Sequence, residues 1–386
     1  EGELPSGVDT TPEPEPDTPS EPDAPEESSS ENALISADAD KRARETLAAM
    51  TEDEKIWQLF YVTPELLTGV ETATRAGDST KEALEAMPVG GIIYFAKNLE
   101  DRAQSVEMLS NTKSYAKIPL FLGVDEEGGT VTRASRNPNL FSEPFKSPQK
   151  LNYIGGIEEI LRDTDTRSRE LRALGINVNF APVCDVSTDP KDFIYDRTLG
   201  QDANMTADYV RLVVPAMTEG GTLPVLKHFP GYGSNADTHT GIAVDQRPME
   251  TFETADLLPF KAGIEAGAPF VLVSHNIVNC MDPELPASLS PAVHKILREE
   301  CGFDGIAITD DLAMDAVKAY AKDGAVAVLA LQAGNDMVVT TDYRTQIPAV
   351  IAAVQEGTLD ESVIDDACLR VLRCKDTFLR IPENNP

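Results

Sequence analysis

"LPVLKHFPGYGSNADTHTG", residues 223–241, opens as an apolar run and closes as a polar loop punctuated by glycine. Lys227 and His228 stand where the run ends, and Asp237 and His239 follow on the loop. A short apolar run without polar alternation reads as a strand buried on both faces, as in a parallel sheet. Polar groups gathered at the carboxyl end of such a strand are where parallel α/β folds place their chemistry. Two of the chain's four histidines fall in this one stretch.

Working outward, similar runs occur at "WQLFYV" (57–62), "GGIIYF" (90–95), "PLFLGV" (119–124) and "NVNFAPV" (177–183). Three more follow at "PFVLVSH" (269–275), "GIAIT" (305–309) and "DMVVT" (336–340). Helical patterns separate them, among them "TDTRSRELRALG" (164–175), "TFETADLLPFKAGIEAG" (251–267) and "AVAVLALQAG" (325–334). Each of these ends on a glycine, as a helix C-cap prefers. Eight strands alternating with helices predict a closed (β/α)8 TIM-like barrel. A doubly wound open sheet is the alternative, but no G-x-G-x-x-G follows the first strands. No linker-like stretch interrupts residues 40–380, so 36–386 is expected to form a single catalytic domain.

Residues 1–35 differ in kind. They hold eleven acids, no Lys or Arg, and frequent proline. Such a segment buries too little apolar surface to offset its ordering entropy, and is expected to be a disordered tether. A Pro/Glu spacer ahead of a folded domain, in a chain beginning at Glu1, fits an extracellular or cell-surface protein tethered to a membrane or wall. A cytoplasmic location is the alternative. The formal charge of −32 over 386 residues argues against nucleic acid, whose phosphates are bound by clustered Lys and Arg. No apolar run has the length of an integral membrane span. The five cysteines are irregularly spaced without a C-x-x-C pair and read as small buried hydrophobes.

The barrel reading requires chemistry after the strands, and polar residues do follow them. Asp125, Glu126 and Glu127 follow one strand, Asp185 and then Arg197 another, and Ser274 and His275 a third. Asp310 and Asp311 close the "GIAIT" run. Asp185 and Asp311 read equally well as helix N-caps, and Glu126 and Glu127 as structural partners of Arg133. His294 reads as a helix-face residue without a role. Lys227 at a strand end is harder to explain structurally, because a buried lysine is rare unless paired. An Asp two residues from a His, on a loop rich in small residues, can orient the ring and raise its basicity. Four histidines without an H-x-H pair give no basis for expecting a metal or other cofactor, although a metal-dependent barrel hydrolase is a rival reading.

These residues resemble glycoside hydrolase family 3, specifically its bacterial β-N-acetylglucosaminidases with a single domain and a His/Asp dyad. The resemblance runs through "GVDEEGGTVTR", "NFAPVCDV", "DRTLG", "KHFPGYG", "DTH", "SHNIV", "PASLSP" and "GFDGIAITDDLAM", covering nearly everything after the tether. It implies a covalent nucleophile at Asp310 and an acid/base at His239 paired with Asp237. It also implies sugar-hydroxyl contacts from Asp125, Arg133, Arg197, Lys227 and His228. The implied activity is removal of terminal GlcNAc with retention from a small carbohydrate, with GlcNAc-MurNAc fragments of peptidoglycan as the expected source and a monomer as the expected state. Chitooligosaccharides, or a β-glucosidase specificity within the family, are the alternatives. Tyr232 and Glu126 depart from the family's usual His and Gln, which leaves fine substrate preference open.

Overall fold

The structure, a computed structural model, describes residues 37–234, 243–320 and 325–380. The tail expected at 1–35 lies outside the described residues. Each of the eight apolar runs contains one strand: β1 Phe60–Val62, β2 Gly91–Ile93, β3 Phe121–Val124, β4 Val178–Asn179, β5 Leu223–Phe229, β7 Phe270–Val273, β9 Ile306–Thr309 and β10 Val338–Val339. They pair in parallel in the order β10-β1-β2-β3-β4-β5-β7-β9. A parallel bridge between Ile308 and Met337 joins the two ends and closes the barrel. All eight strands are buried throughout, as expected where a sheet carries helices on one face and packs on itself with the other.

The interior is filled by large side chains facing small ones. The Tyr61 ring occupies the space where β2 and β3 lack side chains. A Cβ on Gly91 would sit 2.5 Å from that ring, and one on Gly123 would sit 2.4 Å from its hydroxyl. Phe180 meets Tyr61 edge-on at 5.5 Å, and Phe121 meets Phe270 in the same manner at 5.0 Å. The barrel is therefore a packed core with its functional surface at one end.

Two of the three helical patterns stop at the glycine that closes them in sequence, Gly175 and Gly334. Ser147 caps Pro148–Leu174 at its start, and Gly175 ends it in the left-handed conformation at φ +111. Gly155 and Gly156 break the helical dihedrals within that span. Asp202 caps Ala203–Glu219, and Val326–Ala333 stops at Gly334, again left-handed at φ +115. The pattern read as one helix at 251–267 is Met249–Thr251, a wider π turn over Phe252–Asp256, and Leu257–Glu265. One feature departs from expectation. β6 Val244–Asp245 and β8 Ile277–Val278 form a small second sheet on the connections after β5 and β7. Cys280 is exposed rather than buried, while Cys184, Cys301, Cys368 and Cys374 are buried and all five are free. Among the described residues no helix is long and apolar enough to cross a membrane.

Candidate active site

The strand ends deliver their polar residues to one rim. Asp125 follows β3, Asp185 follows β4, Lys227 and His228 lie within β5, and Asp310 follows β9. Arg197 comes from a single 3-10 turn, Tyr195–Arg197, in the connection after β4. Five of these side chains form one network with Glu127. The Lys227 ammonium lies 2.7 Å from Asp125 Oδ1 and 2.7 Å from Glu127 Oε1. Arg197 forks onto the same Glu127 carboxylate, Nε to Oε2 at 3.0 Å and Nη2 to Oε1 at 2.8 Å. Arg197 Nη2 also lies 3.1 Å from His228 Nε2. The other ring nitrogen, Nδ1, meets Asp185 Oδ2 at 2.7 Å, and the second Asp185 oxygen accepts from the Tyr232 N–H at 2.7 Å.

Burial and charge oppose each other in this network, and charge prevails. Burial alone would push the Glu127 carboxyl up, but Lys227 and Arg197 outweigh it and hold the group at about 2. Burial likewise disfavours the Lys227 cation, yet Asp125 and Glu127 raise its pKa above the ordinary lysine value. Arg197 is raised by the same Glu127 carboxylate against its own burial. All three groups are ionised at neutral pH. Lys227 Nζ has three N–H bonds in a fixed place, and Asp125 retains an exposed edge, its side chain 20% accessible against 3% for Lys227. Such an edge presents donors and acceptors together, the pattern that a polyhydroxylated ligand matches.

Asp310 sits across the rim at the end of β9 and is half-buried. Its Oδ1 accepts from the Asp311 N–H at 2.9 Å, which orients the carboxylate. The neighbouring Asp311 is occupied elsewhere, accepting from the Ala313 N–H at 2.9 Å and the Thr341 N–H at 3.1 Å. His275 supports the same turn, with Nε2 3.1 Å from the Asp311 carbonyl and Nδ1 2.7 Å from Ser288 Oγ. Asp310 and Asp311 are both half-buried at this strand end.

The expected site residues divide accordingly. Asp125, Arg197, Lys227 and His228 are brought together. Arg133 shares no hydrogen bond with that network among the described residues; its guanidinium lies over the Phe95 ring at 5.9 Å. Asp237 and His239 lie outside the described residues. Glu126 does not pair with the Arg133 side chain. It is fully buried and accepts from the backbone N–H of Arg133 at 2.8 Å, of Ala134 at 2.7 Å, and from Ser135 Oγ. Glu127, read in sequence as another Arg133 partner, instead links Lys227 to Arg197. Its partners stand 70 and 100 residues away, and no local pattern reports that pairing. Asp185, read as an N-cap, orients His228 and the backbone of Tyr232. Tyr232 itself is buried edge-on against His228, ring centres 5.6 Å apart. Among the described residues no group of three or more His, Cys, Asp or Glu is placed to hold a metal ion.

The sequence matches the family model described as the glycosyl hydrolase family 3 N-terminal domain over residues 51–374. It is 35% identical over 285 residues to a beta-hexosaminidase of Xylella fastidiosa (strain M12), covering 71% of this chain and 82% of that protein. A beta-hexosaminidase of Nitrosomonas eutropha is 31% identical over 299 residues, 75% of this chain and 83% of its own length. Among solved structures, a family 3 beta-N-acetylglucosaminidase from Paenibacillus sp. str. FPU-7 superposes with a TM-score of 0.78 at 30% identity. That match covers 85% of this chain, which spans only 63% of the Paenibacillus chain. The beta-N-acetylhexosaminidase of Beutenbergia cavernae gives a TM-score of 0.72 at 28% identity, covering 85% of this chain and 99% of that one.

Proposed function

The chain belongs to glycosyl hydrolase family 3, and on that premise we propose that it removes terminal β-linked N-acetylglucosamine with retention of configuration. The observation that carries this reading is the rim itself. A half-buried carboxylate, Asp310, accepts a backbone N–H at the carboxyl end of β9, the same end of the barrel at which the Asp125–Lys227–Glu127–Arg197–His228 network stands. The similarity to beta-hexosaminidases over most of the domain supports the substrate class.

In the proposed mechanism Asp310 attacks the anomeric carbon as the leaving oxygen departs, through an oxocarbenium-like transition state, and a glycosyl-Asp310 ester forms. His239 protonates the leaving oxygen and then takes a proton from the water that hydrolyses the ester. Asp237 orients the ring and stabilises the imidazolium, as a triad carboxylate does. Lys227 and Arg197 donate to sugar hydroxyls, while Asp125 accepts from them. Because Glu127 and Asp185 hold these groups in place before substrate arrives, little ordering is required on binding. Arg133 completes the sugar contacts in this reading.

The natural substrate proposed is a GlcNAc-MurNAc fragment of peptidoglycan, acted on outside the cell or at its surface by a monomer tethered through residues 1–35. The family resemblance and the acidic Pro-rich tail support that assignment. Two measurements test the core of the reading. Aryl β-GlcNAc should be hydrolysed far faster than aryl β-glucoside; the reverse preference would reject the sugar assignment. Asp310→Ala should lower kcat by 10³ or more with the fold intact, because covalent catalysis loses its nucleophile. A fluorinated GlcNAc-type inactivator should label Asp310, and labelling at Asp311 or Glu127 would move the nucleophile.

A further inference from the structure

Two aromatic rings stand among the exposed large apolar side chains of the described residues, Tyr153 and Phe193. Single exposed apolar residues are ordinary on a protein surface, so exposure alone assigns nothing. Placement separates the two. Tyr153 sits on the helix Pro148–Leu174 with Lys150 Nζ over its ring at 5.5 Å. Phe193, 44% accessible, leans on Tyr232, ring centres 5.9 Å apart and planes tilted by 41°. Tyr232 is the buried ring that meets His228 edge-on, and His228 bonds Arg197 and Asp185. The exposed ring therefore stands one ring further out than the side chain in contact with the charged network, on the connection that also carries Arg197.

The connection after β4 holds Phe193 in that place. Before it, Asp192 Oδ2 accepts from the buried Ser187 Oγ at 2.7 Å, and the Asp192 N–H donates to the Asp189 carbonyl at 3.0 Å. After it, Ile194 is fully buried, and its carbonyl accepts from the Arg197 N–H at 2.9 Å. The Tyr195 N–H closes a further turn onto the Asp192 carbonyl at 3.1 Å. Tyr232 is fixed by its own N–H on Asp185 Oδ1 at 2.7 Å. A ring whose position is set before a ligand arrives costs little ordering on binding. Tyr232 is also where this chain departs from the family's usual His. A phenol ring offers Phe193 a broader apolar surface than an imidazole does, so the departure acts at this contact.

We propose that Phe193, backed by Tyr232, is the platform for the sugar that follows the scissile bond: its exposed ring takes the apolar C–H face of a second pyranose, and the enzyme selects glycans over GlcNAc glycosides with small aglycones. The proposal rests on the reading that a terminal GlcNAc occupies the network of Asp125, Lys227, Arg197 and His228. The two subsites then divide the work by chemistry. The network matches hydroxyls with charged donors and acceptors. Phe193 carries neither charge nor hydrogen-bonding group and offers a large rigid apolar surface. It therefore reads the ring of the second sugar, whether or not that sugar carries a carboxylate.

The test compares chitobiose with methyl β-GlcNAc; both release an alcohol, but only chitobiose has a second ring. Phe193→Ala should lower the ratio of kcat/KM for chitobiose to that for methyl β-GlcNAc by about ten-fold, the scale of one lost aromatic contact. Phe193→Tyr keeps the flat ring and should hold that ratio within about two-fold of wild type. Binding gives a second reading that needs no turnover. Chitobiose linked through sulfur should bind wild type more tightly than GlcNAc does, and Phe193→Ala should lose about ten-fold of that advantage in calorimetric titration. An unchanged ratio in Phe193→Ala, or an unchanged advantage in binding, would overturn the platform. So would a fall in Phe193→Tyr as large as that in Phe193→Ala. Wild type separates the two readings. If it cleaves neither glycoside, the assignment of GlcNAc to the network falls and takes the platform with it; if it cleaves both with a ratio indifferent to Phe193→Ala, only the platform falls.

Discussion

Glu127 shows how much of a site can depend on one residue with no chemistry of its own. Its carboxylate is held at about 2, against an ordinary 4.5, by Lys227 and Arg197 acting against burial. A depressed carboxyl contributes stability above its unfolded value and loses it as pH falls through the folded one. The shift corresponds to roughly 3 kcal/mol, present above about pH 4.5 and lost on approach to pH 2. Urea melts of wild type and Glu127→Gln should therefore differ widely at pH 6 and converge near pH 2. A constant difference across that range would show that the loss is one of packing and not of charge. On the proposed acid/base reading, His239→Ala should slow unactivated substrates severely and leave activated aryl glycosides with a pre-steady-state burst, since deglycosylation still lacks its base. Asp237→Asn should follow in the same direction but less far. A uniform loss without a burst would return the role to another residue. Glu126 is a poor candidate for it, because its carboxylate is spent on the backbone of residues 133–135. The sequence shows Lys227, His228 and Asp310 as residues of interest because each interrupts an apolar run. It does not show that Glu127 is the partner Lys227 needs, because that pairing is made only when β3 and β5 come round the barrel.

At the scale of elements, every strand of the barrel was legible, because eight apolar runs have no use outside a doubly covered sheet. The helix ends were legible for a related reason: Gly175 and Gly334 both take the left-handed conformation that glycine alone adopts at no steric cost. The β6–β8 pair was not legible. Two residues per strand give no periodicity to read, and the pairing joins connections 33 residues apart in register, Val244 with Ile277. The π turn at Phe252–Asp256 escaped notice too, since one extra residue in a helix leaves its apolar pattern nearly unchanged. Fit inside the barrel can be tested at β2. Gly91→Ala places a methyl group 2.5 Å from the buried Tyr61 ring. Overpacking of this kind costs about 1–3 kcal/mol, read as a lower urea midpoint with an unchanged slope. Tyr61→Leu should recover part of that loss in the double variant although it is destabilising alone. Additive losses would mean that the ring and the methyl group do not meet.

The whole molecule carries a formal charge of −32, and eleven of its acids lie in residues 1–35. A field of that sign repels an anionic substrate at long range and leaves a neutral one unaffected. The proposed peptidoglycan fragment carries a lactyl carboxylate; an aryl β-GlcNAc carries no charge. Raising ionic strength shortens the screening length from about 30 Å at 0.01 M to about 10 Å at 0.1 M. Over that range kcat/KM for the anionic fragment should rise, while kcat/KM for the neutral glycoside stays flat. Deleting residues 1–35 should leave kcat on the neutral glycoside unchanged, because a charged, proline-rich segment has no apolar face with which to pack on the barrel mouth. The same deletion removes a third or so of the net charge, and the salt dependence for the anionic fragment should become shallower. A large drop in kcat on the neutral glycoside would show instead that the segment folds onto the barrel and contributes to the site. Salt dependence of equal size on both substrates would show that the charge acts on the stability of the enzyme and not on its encounter with substrate.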